Sequence, residues 1–117
     1  MKTNRYCMVI EIKDKYVKAY ADIHRNIWPE LLKVYKEAGA KELLVWVHKN
    51  MAIVYYECES IDMIYEKVAK YEVSKKWSAK LIPWFAKAPD FSGSAKVQTC
   101  DKVMDLNQQL NGKLKRY

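Results

Sequence analysis

The sequence lacks any long apolar segment. No apolar run approaches the roughly 20 residues that a membrane-spanning helix requires, so we expect no membrane partner. Residues 1–5 lead directly into a strand-like pattern, without the apolar segment and small-residue cleavage site of a signal peptide. Together these absences predict a cytoplasmic protein.

Metal-ligating residues are also scarce. The three cysteines, Cys7, Cys58 and Cys100, are far apart in the chain, no Cys-x-x-Cys pair occurs, and there are only two histidines. A structural zinc site takes four cysteine or histidine ligands at short spacings, so we expect no metal. Reduced thiols in the core or in strands are the preferred interpretation, in agreement with a cytoplasmic location.

Positive charge is in excess but is not concentrated. The formal charge is +7, yet Lys113, Lys115 and Arg116 lie in the last five residues and the other basic residues alternate with acidic ones. Such dispersion is typical of a solvated surface, whereas nucleic-acid-binding surfaces cluster lysine and arginine. We therefore expect no nucleic-acid partner.

Hydrophobic periodicity predicts the order of secondary structure. The 117 residues, half of them hydrophobic, fit one domain with a modest core, which we assign to residues 1–106, followed by a polar and basic tail over 107–117. Asp14 and Ser60 are predicted helix caps, Asn50 is expected to take a left-handed conformation in a turn, and Pro83 is expected to bend or end its helix. Period-2 segments predict strands over 5–12, 43–48, 51–58 and 95–100, and helical spacing predicts helices over 14–25, 29–38, 61–71 and 73–85.

The order β-α-β-β-α-β predicts an α+β fold of the ferredoxin-like split βαβ type. In this arrangement an antiparallel sheet carries its helices on one face. The other face would be left open, and its side chains are largely apolar or aromatic. Such a surface needs cover, so we predict a homodimer formed through the sheet faces.

The segment from Tyr20 to Leu31 is the strongest candidate for a functional site. Tyr20 and His24 are four residues apart and would share one helix face, while Pro29 favours a new helix starting at that position. His24 would then lie at a break between two helices, beside a phenol. The alternative is a half-buried histidine satisfied by a backbone carbonyl.

The chain resembles the L-rhamnose mutarotase family over about residues 6–101. Further matches are Ala38-Gly39-Ala40, Glu57, Glu72-Val73-Ser74-Lys75-Lys76-Trp77 and Pro89-Asp90. The most specific element is the string Tyr20-x-x-x-His24-x-x-Ile27-Trp28-Pro29-Glu30-Leu31. The resemblance implies a dimeric α+β barrel that needs no cofactor and acts on a small neutral sugar.

The resemblance also implies roles for particular residues. His24 is expected to be the catalytic acid and base, with Tyr20, Leu43, Trp77 and Ser78 at substrate-contacting positions. Two of these depart from the family pattern, since members usually carry a tyrosine at the position of Leu43 and a second tryptophan at that of Ser78. The identity of the sugar is therefore open among L-rhamnose and related 6-deoxy pyranoses.

Chemistry supports the histidine assignment. Mutarotation moves a proton from the C1 hydroxyl to the ring oxygen and back, which suits a group with a pKa near ~6.5. Two alternatives remain open on the same fold: a non-catalytic α+β barrel that binds a small ligand, and a cofactor-free oxygenase or isomerase. Architecture alone does not separate them.

Overall fold

The computed structural model describes residues 2–87 and 97–112. Within them, a three-stranded antiparallel sheet in the order β1-β3-β2 carries the helices on one face. The strands are β1 (Asn4–Glu11), β2 (Glu42–His48) and β3 (Met51–Cys58). The helices are α1 (Val17–Arg25), α2 (Pro29–Ala38), α3 (Ile61–Val68), α4 (Glu72–Leu81) and the short α5 (Leu106–Leu110).

The break between α1 and α2 is confirmed. Helix α1 ends at Arg25, and α2 begins at Pro29, whose missing N–H is unneeded at the first helical position. Gly39 ends α2 with a φ of 113°, a left-handed conformation that glycine adopts without the steric cost of a Cβ. His24 therefore lies in the last turn of α1, directly before the break.

Side chains alternate strictly across the sheet. Met8, Ala52, Val54 and Tyr56 are buried on the face that packs against the helices, which we call the inner face. Val9, Leu44, Trp46 and Ile53 belong to the outer face, where Trp46 is 53 % exposed and Val9 is 48 % exposed. This alternation follows from the period of two in a strand.

The predicted fourth strand is wrong in part. Residues 97–100 are not a strand, although the Cys100 N–H donates to the Cys7 carbonyl at 2.7 Å, so this segment runs beside the free edge of β1. Positions 95–96 of that prediction lie outside the described residues, as does the Pro89-Asp90 match. At its other end β1 is followed by Ile12, which forms an isolated antiparallel bridge with Phe85.

Local predictions at the helix ends and turns had mixed outcomes. Ser60 caps α3 by accepting from the Met63 N–H, as predicted. Asp14 does not cap α1, because residues 14–16 form a separate 3-10 turn. Lys49, with a φ of 54°, takes the left-handed conformation that we had expected of Asn50.

The later helical segment is shorter than predicted. Helix α4 ends at Leu81 and a 3-10 turn over Ile82–Trp84 contains Pro83, so proline ends the helix as expected but Phe85 lies beyond it. Within 2–87 and 97–112, no helix is long and apolar enough to cross a membrane. The proposed division into a domain and a tail at residue 106 stays a prediction, and α5 spans that point.

The three cysteines differ in their surroundings. Cys58 is fully buried on the inner face of β3, as expected of a core thiol. Cys7 is half-buried on β1, and Cys100 is exposed rather than in a core or strand. All three are free thiols.

Candidate active site

A large cavity lies between the inner face of the sheet and the helices. Its volume is about 1230 Å³, which is ample for a small molecule, since such sites typically measure roughly 300–1,000 Å³. All five residues that the sequence predicts for the site line this cavity: Tyr20, His24, Leu43, Trp77 and Ser78. The fold thus brings together positions that lie on α1, β2 and α4.

One hydrogen bond fixes the protonation of the His24 ring. Nδ1 of His24 lies 2.7 Å from the backbone carbonyl oxygen of Tyr20, one helical turn earlier. A carbonyl oxygen can only accept, so Nδ1 carries the proton and donates it. In the neutral ring Nε2 is then the basic nitrogen. The carbonyl contact proposed as an alternative to a functional role is therefore present, and it also prepares the ring for proton transfer.

Aromatic rings enclose the imidazole on two sides. The Tyr20 ring lies against it with centroids 4.0 Å apart, and the Trp77 ring meets it edge-on at 5.3 Å. Trp28 packs edge-on against the Trp77 ring, with the two ring centroids 5.2 Å apart. Together with the carbonyl contact, these rings restrict the orientation of His24.

Burial sets the charge states of the site. It lowers the pKa of His24 from its ordinary 6.5, an effect only partly opposed by the hydrogen bond to the Tyr20 carbonyl. Burial also raises the pKa of Tyr20 well above its ordinary value, with a further contribution from nearby Tyr35. At neutral pH the site therefore holds a neutral imidazole beside a neutral phenol.

The two positions that depart from the family pattern are both at the cavity wall. Leu43 is half-buried on the inner face of β2 and is paired with Tyr56 of β3. Ser78 follows Trp77 on α4 and is half-buried. Neither carries an aromatic ring, so this part of the cavity is wider than it would be with a tyrosine and a tryptophan.

Sequence reasoning missed four cavity-lining residues with hydroxyl groups. Tyr35, Tyr56 and Tyr65 come from three different elements, and Ser74 lies on α4, one turn before Trp77 and Ser78. The missed signal was an excess of hydroxyl-bearing side chains at inward-facing positions.

Glu57, which is part of the family resemblance, and His48, the second histidine, lie away from the cavity. Glu57 is on the outer face of β3 and accepts a hydrogen bond from the Tyr55 hydroxyl at 2.7 Å. His48 ends β2 on the same outer face and is exposed. Of the two histidines, His24 alone lines the cavity.

The fold and the cavity define a class before any comparison is made: a ferredoxin-like α+β domain with an oriented histidine in an aromatic-walled pocket. A sequence model of the family described as L-rhamnose mutarotase matches residues 5–106. The chain therefore belongs to the L-rhamnose mutarotase family, a family of isomerases that interconvert the anomers of a sugar.

Individual relatives agree with this assignment. The chain is 28 % identical over 94 residues to an L-rhamnose mutarotase of Ligilactobacillus salivarius, an alignment covering 77 % of this chain and 87 % of that protein. It is 31 % identical over 75 residues to one of Clostridium beijerinckii, covering 62 % of this chain and 71 % of that protein.

A solved structure supports the fold. The crystal structure of an L-rhamnose mutarotase from Formosa agariphila superposes with a TM-score of 0.65, covering 87 % of this chain and 97 % of that one. The identity of 18 % makes this a likeness of fold alone. Family membership favours the mutarotase hypothesis over the two alternatives on the same architecture.

Proposed function

We propose that this protein interconverts the α and β anomers of L-rhamnose or a closely related 6-deoxy pyranose, with His24 as both general base and general acid. Family membership supports the reaction class. The observation that supports the role of His24 is its Nδ1–H bond to the Tyr20 carbonyl in the wall of the cavity. That bond dictates which ring nitrogen handles the proton.

The proposed proton transfers balance with one group. Nε2 of His24 takes the proton of the C1 hydroxyl, and the imidazolium then gives a proton to the ring oxygen as the C1–O bond breaks. Rotation about the C1–C2 bond presents the other face of the aldehyde, and the same transfers in reverse close the ring. The lowered pKa of His24 keeps the resting ring neutral and makes the imidazolium a readier acid.

Tyr20 and Trp77 have distinct proposed roles. The Tyr20 ring packs at 4.0 Å from the imidazole, and its neutral hydroxyl can donate to a sugar oxygen or accept from a sugar hydroxyl. Trp77 presents an apolar ring on which sugar C–H groups can lie, and its indole N–H can donate. Both would hold the sugar without taking part in the proton transfer.

The strand wall of the cavity suits a deoxy sugar. Leu43, Val45 and Val47 project from the inner face of β2 into the lining and carry no polar atom in their side chains. A hydroxymethyl group placed there would lose its hydrogen bonds to water without replacement, whereas a methyl group loses none. This favours a pyranose with a methyl substituent on C5.

We also propose a cytoplasmic homodimer formed through the outer face of the sheet. Val9, Ile53 and Trp46 are cross-strand neighbours in register across all three strands, so they form one apolar row. Trp46 is more than half exposed in the single chain. A second copy of this face would cover the row and close a barrel.

Saturation transfer between the two anomeric protons of L-rhamnose tests the reaction. We expect exchange above the uncatalysed rate in the presence of the protein, and faster exchange for 6-deoxy pyranoses than for their hydroxymethyl counterparts. Absence of acceleration for every sugar tried would contradict the proposal. A matched measurement of sugar binding by ligand-observed NMR would then show whether the pocket binds a sugar without catalysis.

A further inference from the structure

Three tyrosines of the cavity wall pack together, and two of their hydroxyls are hydrogen-bonded to each other. The hydroxyls of Tyr56 and Tyr65 are 2.8 Å apart, and the Tyr65 hydroxyl donates to the Met8 sulfur at 3.9 Å. The Tyr35 ring packs against the Tyr56 ring, with the two centroids 6.3 Å apart. Tyr56 and Tyr65 are buried, whereas Tyr35 is only half-buried.

Either hydroxyl of the Tyr56–Tyr65 pair can be the donor, because each phenol carries one proton and can also accept. Tyr35 is the least buried of the three tyrosines and also lines the cavity, so it is the member of this group that a ligand can most readily reach.

Ser74 is a further hydroxyl-bearing residue of the cavity wall. Its side chain is 5 % exposed and lines the same cavity, yet its Oγ has no hydrogen-bond partner within the described part of the chain. An unsatisfied buried hydroxyl is costly, and native proteins rarely retain one without a ligand or a functional reason. Its position one turn from Trp77 and Ser78 places it on the cavity side of α4.

We propose that Ser74 and Tyr35 form a hydroxyl-binding subsite for the pyranose ring, which holds hydroxyls other than the one on C1 and so selects the sugar. The hydroxyls of Ser74 and Tyr35 can each donate or accept, which matches the paired donor and acceptor character of neighbouring sugar hydroxyls. The subsite rests on the proposed function, because it takes the sugar that His24 would open.

The same subsite offers a substitute for the missing tyrosine at Leu43. Leu43 is paired with Tyr56 on the adjacent strand, and the Tyr56 hydroxyl is hydrogen-bonded to that of Tyr65. The polar group at this side of the cavity is thereby carried by β3 and α2 instead of β2. This shift explains how the wall can be apolar at β2 and still hold a polyhydroxylated ligand.

Ser74→Ala and Tyr35→Phe test the subsite in the full-length protein with L-rhamnose. Loss of one hydrogen bond to the ligand should raise KM by about tenfold in each variant, with kcat little changed, since neither group touches the transferred proton. Tyr55→Phe is the matched control, because it removes a phenol hydroxyl from the outer face and should leave KM unchanged.

A second readout separates binding from folding. Ser74→Ala removes an unsatisfied buried hydroxyl, so we expect its Tm to be equal to or above that of the wild type, even as KM rises. A merely structural Ser74 would give the opposite pattern, with a lower Tm and an unchanged KM. That pattern would overturn the proposal.

Deoxy sugars identify the hydroxyl that is bound. The wild type should discriminate by about tenfold against the pyranose that lacks the bound hydroxyl, and Ser74→Ala should lose this discrimination for that sugar alone. Equal discrimination in the variant and the wild type would overturn the proposal. If instead the wild type gave no anomer exchange, the proposed function would fail, and ligand-observed NMR of L-rhamnose with both proteins would still test the subsite as a binding site.

Discussion

The two faces of one sheet have opposite character, although they are built from the same three strands. On the inner face of β2, Leu43 and Val45 line a cavity with His24, whereas the outer face of the same strand exposes Trp46 and His48. A shift of one residue in the pairing register would exchange the two sets. The chemistry of the protein thus depends on which side of a strand each residue occupies.

The two histidines show what this difference means. His24 is enclosed by aromatic rings, is bonded through Nδ1 to a carbonyl, and has its pKa lowered by burial. His48 is exposed at the end of a strand on the outer face. Identical side chains therefore differ in tautomer control and solvation, and those properties decide which can serve as a positioned base.

The largest expected effect is that of His24→Ala on anomer exchange. Loss of a positioned acid and base should reduce the catalysed exchange by roughly 10²–10⁴-fold, as measured by saturation transfer with the uncatalysed rate subtracted. His48→Ala is the matched control and should retain full exchange. Equal activity in both variants would remove His24 from the mechanism, provided that far-UV circular dichroism shows both to be folded.

A charge on the outer face should break the proposed dimer. Trp46→Asp places a carboxylate in the middle of the apolar row, so sedimentation should show a species of 13.8 kDa where the wild type shows twice that mass. Met63→Lys, on the solvent side of α3, is the control and should remain dimeric. A monomeric wild type at micromolar concentration would contradict the homodimer.

The dependence of exchange on pH should follow the buried histidine. Because burial lowers the pKa of His24 below 6.5, kcat/KM should stay constant from neutral pH down to below 6.5 and then fall as the ring takes up a proton. A decline that begins above pH 7 would be inconsistent with this assignment.

The same pKa shift should appear in the stability of the fold. The folded-state pKa of His24 lies below the unfolded-state value, so its contribution is fully present above pH 6.5 and is lost as the pH falls through the folded-state pKa. Thermal unfolding of the wild type should therefore lose more Tm on acidification than that of His24→Ala. Parallel pH profiles for the two proteins would argue against a buried, neutral His24.

A smaller effect is expected from Tyr20→Phe. The ring contact with His24 and the backbone carbonyl that orients it are both retained, and only the hydroxyl is lost. We expect a decrease of about tenfold or less in kcat/KM, the value of one hydrogen bond to the sugar. An unchanged kcat/KM would assign Tyr20 to packing alone.

The smallest effects should come from the thiols. Cys7 and Cys100 lie away from the residues that line the cavity. The variants Cys7→Ser and Cys100→Ser should therefore leave exchange unchanged. Cys58→Ser buries a hydroxyl in the core, so it should lower Tm without changing exchange in the folded protein. Loss of exchange in any of the three without unfolding would reveal a thiol role in the reaction.

Sequence by itself determined the parts of the protein that depend on local chemistry. Pro29 and Gly39 fixed where α2 begins and ends, Ser60 fixed the start of α3, and period-2 alternation indicated the three strands. Tyr20 and His24 could be placed on one helix face for the same reason, since a spacing of four is set by helix geometry. Local rules were insufficient at Asp14 and at Lys49, where the tight turn places φ > 0 at a lysine rather than at the neighbouring asparagine.

Only the tertiary structure decided which distant residues share the cavity. The meeting of Tyr35, Tyr56, Tyr65 and Ser74 depends on how three helices pack on one face of the sheet, and no spacing in the sequence encodes those contacts. The unsatisfied Oγ of Ser74 is likewise a property of its surroundings and not of the residue. Propensity and periodicity act over a few residues, whereas burial, pKa shifts and hydrogen bonds between distant side chains arise from atoms brought together across the whole domain.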